Sequence, residues 1–377
     1  MLERLKGYNL PDFNNCNINI SATLAEFLNA PNKNTTLSVL RKELSKNYKN
    51  VVFICFDGMG IYPLKQNLSD DSFLRRHIVQ NLVSTFPSTT TNATTSLKTN
   101  LLPLEHGWFG WSLHFADIDR NIDIYTHCDS KTGENIDYNY SLVDDTNAYY
   151  DYANTDYQVS TIFPPYVKVK NEINNNAILD ANELYETIYN ICNREGKQFI
   201  YAYCDEPDHT MHTQGVNSFY AKSLINGINK NMERLAKSLK DTLFIITSDH
   251  GHIDVNGYVE FYKDKELYNM LECPPYLDAR TPAFIVKEDN KQEFYEKFTQ
   301  KYGDDFILFK SKELIDNGFF GNIGDKGYLL GDFIAIGTYT NKILLPFEDS
   351  TRFKGHHTSL TDEMLVPLIL IGSKILP

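Results

Sequence analysis

Three apolar runs in this chain end on acidic residues, and that pattern restricts the fold more than any other feature of the sequence. Residues 51–56 (Val-Val-Phe-Ile-Cys-Phe) lead into Asp57, residues 199–204 into Asp205-Glu206-Pro207-Asp208, and residues 243–247 into Ser248-Asp249-His250. A short, continuous run of β-branched and aromatic residues suits a strand buried on both faces, as in a parallel sheet covered by helices. An acid at the end of such a strand stands at the carboxyl edge of the sheet, where ligand sites of α/β proteins form.

Further apolar runs at 283–286, 333–336 and 368–371 read as strands, with amphipathic helices between the runs. One helix begins with a capping box, Asp180 three residues before Glu183, and buries Leu184, Ile188 and Ile191 on one face. Another carries Ile228, Met232, Leu235 and Leu239 at helical spacing and leads into the strand at Leu243. The expected fold is a three-layer α/β sandwich, with a largely parallel central sheet flanked by helices. Residues 1–377 read as a single catalytic domain with two insertions. One is a lid-like excursion over 108–170, rich in Asp, Asn and Tyr with weak periodicity around 112–154. The other is a small α/β cap over 258–330.

The net charge of −13 argues against a nucleic-acid polymer as partner, because duplex binding needs a basic face. Small anionic substrates stay open, since bound cations reverse the local field of a site. No stretch reaches the length of a membrane span, and residues 1–10 carry charges without the apolar core of a signal peptide. The six cysteines contain no CxxC pair, and Cys55 and Cys204 sit inside apolar runs. The expectation is a cytoplasmic protein.

Five motifs carry the chemistry. Asp57-Gly58-Met59-Gly60 closes the first strand, although Asp-Gly alone equally describes a strand-end turn. Residues 84–96 hold nine Ser or Thr among thirteen positions, with Pro87 fixing a turn before a helix start. Free amides and the positive dipole end there would stabilise an alkoxide and a phosphate, but a Thr-rich cap would look the same. In Asp205-Glu-Pro-Asp208-His209-Thr-Met-His212, Asp208 and His212 share a helical face and can bind one ion, while His209 points elsewhere. Asp249-His250-Gly251-His252 ends the third strand, and Gly251 permits the sharp turn that lets neighbours reach one metal. Last, His356 and His357 precede the final apolar run. Mixed Asp/His ligation suits zinc, and there are more ligands than one ion uses. Two ions about 4 Å apart would clamp the attacking and leaving oxygens of an in-line displacement at phosphorus.

In this order the motifs resemble the alkaline phosphatase superfamily, and most of all its type I phosphodiesterase/nucleotide pyrophosphatase branch, over residues 51–367. The elements that match are strand-Asp57-Gly58, Phe86-Pro-Ser-Thr-Thr-Thr91, His106-Gly107, Asp205-Glu-Pro-Asp208 with His212, Ser248-Asp-His-Gly251 and a late Gly355-x-His357. The resemblance implies Thr90 as nucleophile, with Thr89 and Thr91 as neighbours to be distinguished from it. It implies one zinc among Asp57, Thr90, Asp249 and His250, and a second among Asp208, His212 and His357, with His357 preferred over His356. Implied too is double displacement on a small phosphate ester through a phosphothreonine.

One position departs from the branch. Where characterised phosphodiesterases carry an asparagine that contacts a phosphoryl oxygen, this chain has Trp111. Trp111 and Trp108 are accordingly candidates for a substrate-binding wall, or for packing under the lid. The arginine with which monoesterases clamp free phosphate oxygens has no counterpart. Sulfatases are excluded by the missing Cys-x-Pro-x-Arg segment. Monoesterases, phosphonate hydrolases and a catalytically silent metal-binding module remain as alternatives.

Overall fold

The computed structural model describes residues 2–140, 147–167, 175–178 and 181–373. Its central sheet has seven strands in the order Ile78–Val83, Leu365–Ser373, Thr242–Thr247, Asn50–Phe56, Lys197–Cys204, Tyr157–Phe163 and Asn175–Ala177. Only Leu365–Ser373 runs against the others, so the sheet is largely parallel, as expected. The period of two in a strand explains how one buried run serves two layers. Val52, Ile54 and Phe56 join a core with Leu184, Ile188 and Ile191 of the helix Ala181–Cys192 and Ile228, Met232 and Leu235 of the helix Phe219–Ser238. Val51, Phe53 and Cys55 face the opposite way, against Ile20 and Leu24 of the helix Ile18–Phe27. Leu239 ends the Phe219–Ser238 helix as its C-cap. The capping role expected of Asp180 lies outside the described residues.

The three acid-bearing strands are immediate neighbours. Phe56 stands opposite Cys204 and Cys55 opposite Thr247, so their carboxyl ends are level and the following residues emerge at one edge.

A second sheet, antiparallel throughout, covers that edge. Its order is Phe306–Lys310, Phe333–Gly337, Pro282–Phe284, Tyr276–Leu277, Ser112–Phe115, Arg120–Asp123 and Cys128–Asp129. Two apolar runs that the sequence offers as strands, 283–286 and 333–336, therefore belong to this sheet and not to the central one. The weakly periodic stretch after Ser112 supplies three of its strands. These are two to four residues long, too short to display alternation.

One fully buried ion pair fastens the second sheet to the edge it covers. Arg280, just past the strand Pro282–Phe284 partner Tyr276–Leu277, donates from Nε to Glu363 Oε1 at 2.8 Å. Its remaining donors reach Thr338 O, Lys342 O and Thr361 Oγ1, each at 3.2 Å. Removing one partner of such a pair strands a charge in the core. Glu363→Leu should lower the unfolding free energy in urea by about 3–5 kcal/mol, more than the paired exchange Arg280→Met/Glu363→Leu.

Candidate active site

The chain segments beyond the three strand ends are stitched to one another by backbone. Asp57 N–H donates to Cys204 O at 2.9 Å and Asp208 N–H to Asp57 O at 3.1 Å. Gly58 N–H donates to Asp249 Oδ1 at 3.1 Å. Gly58 has a left-handed backbone (φ 69°). A side chain there would also meet Asp208 Cβ and Oδ1 at 3.0 Å, so glycine is required twice over. Gly60 crosses Gly251 so closely that a Cβ on Gly60 would lie 2.4 Å from Gly251 Cα.

Two groups of donor atoms result. Asp57, Asp249 and His250 form one, and Asp208, His212, His252 and His357 the other, each with its donor atoms within 4.8 Å of one another, close enough to hold a metal ion. Thr90, first residue of the helix Thr90–Thr99, joins the former: its Oγ1 lies 3.1 Å from His250 Nε2 and 3.4 Å from Asp57 Oδ2. A two-stranded ribbon, Ile253–Asp254 with Gly355–His356, carries the late histidines back to the segment that follows Asp249.

The imidazoles fit cations. His250 Nδ1 is 2.8 Å from Gly251 O, His212 Nδ1 3.0 Å from Gly355 O, and His357 Nδ1 3.1 Å from Ser88 O. Carbonyls only accept, so each Nδ1 carries the proton and each Nε2 offers a bare lone pair. His212 Nε2 and His357 Nε2 then face each other at 3.2 Å, which is repulsive unless a cation lies between them. With Zn–N near 2.1 Å, the edge of a tetrahedron is about 3.4 Å. The spacings of Asp208 Oδ2 to His212 Nε2, at 3.3 Å, and of His250 Nε2 to Asp57 Oδ1, at 3.3 Å, match it. Asp249 Oδ2 and Asp208 Oδ1 also lack well-directed hydrogen bonds.

Electrostatics agree. Burial, with the Asp249 and Asp208 charges adding to it, holds Asp57 well above the usual carboxylate range, despite a hydrogen bond from the Tyr203 hydroxyl. Burial also raises Asp208, but His212 and His252 outweigh it and keep Asp208 low. Burial pushes His212 down to about 4 and His357 well below its ordinary value, so neither is charged near neutrality. His356 differs from His357: its Nδ1 accepts the His357 amide at 2.9 Å, and its Nε2 faces Asp278 at 3.4 Å. It belongs to neither donor group. His209 is exposed and also stays outside both groups.

A cavity of about 1410 Å³ opens over the site. Trp108, Trp111 and Tyr125 line it, with Tyr125 packed edge-on 5.3 Å from the Trp108 ring and 6.0 Å from that of Trp111. Tyr125 is further tied by its hydroxyl to Thr94 Oγ1 at 2.6 Å, one turn beyond Thr90. Among the described residues no arginine lines this cavity; its cationic side chains are Lys98 and Lys131.

The profile of the type I phosphodiesterase / nucleotide pyrophosphatase family matches residues 51–359. The chain belongs to that family. No curated protein matches it in sequence. Among solved structures, murine ectonucleotide pyrophosphatase/phosphodiesterase 5 is similar at TM-score 0.65 and 16% identity, over 85% of this chain and 88% of that one. The human counterpart gives 0.64 and 17%, over 85% and 87%. Phosphonoacetate hydrolase from Sinorhizobium meliloti 1021, in complex with phosphonoformate, gives 0.59 and 13%, over 86% and 91%. At such identities these likenesses describe the fold. As a type I phosphodiesterase/nucleotide pyrophosphatase family member, the protein is a phosphoric ester hydrolase. The family is generally metal-dependent, in keeping with the two donor groups.

Three residues of the family member's site escape sequence reasoning. His252 is fully buried, with Nε2 3.0 Å from Asp208 Oδ1. Its signal was a second histidine in the Asp249-His250-Gly251-His252 motif. Tyr125 and Asp278 lie on the second sheet's loops, and no local pattern marks them.

His106 holds this site from beneath. It accepts the Trp108 amide at Nδ1 (3.0 Å), so Nε2–H donates to Ser96 Oγ (2.9 Å) on the Thr90–Thr99 helix. Burial pushes its pKa down to about 3. Unfolded histidine titrates near 6.5, so below that pH the unfolded chain binds the extra proton and the fold loses stability. The loss should run at up to about 1.4 kcal/mol per pH unit as pH falls toward the folded value. Urea unfolding of His106→Gln between about pH 6.5 and 5 should show a correspondingly shallower slope than the unaltered protein.

Proposed function

We propose that this phosphoric ester hydrolase cleaves a small phosphodiester by double displacement through a phosphothreonine on Thr90. Two divalent ions, zinc by the chemistry of the donors, would be held by Asp57, Thr90, Asp249 and His250 and by Asp208, His212 and His357. The observation that carries this reading is the set of three bare Nε2 atoms converging with unpartnered carboxylate oxygens beside the Thr90 hydroxyl. When bound, the ions would supply positive charge to the attacking, leaving and non-bridging oxygens.

The chain's own residues do the rest. Asp57 and His250 orient Thr90 Oγ1, and the start of its helix favours negative charge there. Attack forms an Oγ1–phosphorus bond and breaks the ester bond to the leaving alcohol. Water then cleaves the Oγ1–phosphorus bond and restores the hydroxyl, releasing a phosphate monoester. Trp108, Trp111 and Tyr125 offer a flat wall to the ester group. Among the described residues the cavity lining offers two lysines and no arginine, which favours a diester, with its single charge, over a monoester dianion. A related structure supports the nucleophile: murine ectonucleotide pyrophosphatase/phosphodiesterase 5 is described as inactive with a threonine replaced by alanine, in complex with AMP. Phosphonoacetate hydrolase among the similar structures keeps a phosphonate substrate as the second reading.

Thr90→Ala should retain bound metal and lose on the order of 10³-fold or more in turnover of an aryl phosphodiester. Near-normal turnover in that variant would remove Thr90 as nucleophile. Chelation should abolish activity and added zinc restore it, and the panel of diester, monoester and phosphonate substrates ranks the ester classes. Metal-loaded protein that hydrolyses none of them would be a silent binding module.

A further inference from the structure

The helix Thr90–Thr99 opens on Thr89 as N-cap, in extended backbone (φ −132°, ψ 152°). A threonine there ordinarily turns its oxygen onto an early amide of its own helix and removes a free donor. Thr89 makes no such bond. Its hydroxyl donates instead to Asp278 Oδ2 at 3.1 Å. The first amides of the helix thereby keep no intrahelical partner, at the end that carries Thr90.

Asp278 arrives from the second sheet, directly after the strand Tyr276–Leu277. Leu277 has a left-handed backbone (φ 71°), a strained conformation for leucine that surrounding structure must enforce. The turn it makes delivers the Asp278 carboxyl into the cavity. Oδ1 accepts the Ala279 amide at 2.8 Å and lies 3.4 Å from His356 Nε2. His356 Nδ1 accepts the His357 amide, so Nε2 bears the proton that faces the carboxyl. Asp278 thus touches the residue before Thr90 and the residue before His357.

We infer that Asp278 is a positioning residue for anion binding: by drawing off the Thr89 hydroxyl it keeps the first amides of the Thr90 helix free for a phosphoryl oxygen. This rests on the phosphoryl-transfer reading above. Without Asp278 the Thr89 hydroxyl turns onto its own helix and competes with the substrate oxygen.

The test compares zinc-loaded unaltered protein, Asp278→Ala and Asp278→Ala/Thr89→Val, with orthophosphate affinity read by calorimetry alongside metal content and thermal midpoint. Asp278→Ala should bind orthophosphate about tenfold more weakly at unchanged metal content, as for one lost charge-assisted hydrogen bond. Adding Thr89→Val should recover most of that loss, because valine cannot cap; a purely structural role for Asp278 gives no such recovery. A double variant as weak as Asp278→Ala, or Asp278→Ala equal to the unaltered protein, overturns the inference. Asp278→Asn, with and without Thr89→Val, supplies the same comparison if the alanine variant does not fold. Asparagine keeps an Oδ1 acceptor for the Thr89 hydroxyl, so Asp278→Asn should lose less than about tenfold; a loss that large which Thr89→Val does not recover would assign the effect to charge and overturn the inference. Unaltered protein that binds no orthophosphate overturns the phosphoryl-transfer reading as well.

Discussion

The structure is organised around a repulsion. Asp57 and Asp249 are buried, Asp208 is nearly so, and the lone pairs of His212 and His357 point at one another across 3.2 Å. Taking an ionised carboxylate out of water costs several kcal/mol even after relaxation, and like charges add to it. Strand register is what makes the convergence unavoidable. Once Asn50–Phe56 pairs on both sides with Lys197–Cys204 and Thr242–Thr247, the acids can only emerge together. The two aliphatic and aromatic cores on either face of those strands offset the cost.

The two sheets divide the work. The parallel one presents charge at its edge, and the antiparallel one lays an apolar and aromatic roof over it, so the low-dielectric surroundings strengthen every charge-assisted contact beneath. Arg280 and Glu363 couple the layers. Glu363 also accepts the Gly251 amide at its carbonyl, so the roof is anchored two residues from Asp249 itself.

Much of this was legible in the sequence. Continuous apolar runs ending on Asp57, Asp208 and Asp249 report a covered parallel sheet, because burial on both faces leaves no room for alternation. Thr90, His212, His250 and His357 are brought to the same place, and Trp108 and Trp111 do line the cavity. What stayed hidden depends on long-range pairing. Ser112–Phe115 and Tyr276–Leu277 are neighbours in one sheet, but strands of two to four residues carry no period, and nothing local says that one excursion will pair with another. For the same reason Asp278 and Tyr125 could not be placed. His252 was within reach as the last residue of the Asp249-His250-Gly251-His252 motif, but nothing in the motif shows that the turn at Gly251 carries it to Asp208.

The crossing of Gly60 and Gly251 reaches beyond this site. The backbones touch where a side chain on Gly60 would be, and each glycine lies within three residues of an acid of the first donor group. No atom larger than hydrogen can enter at Gly60 unless the opposing loop withdraws, and withdrawal takes Asp249 away from Asp57. Gly60 is therefore held to glycine by backbone written half the chain away. Descendants of this sequence can drift in the roof, the helices and the substrate wall. They can change Gly60 only by pushing away the backbone that carries Asp249.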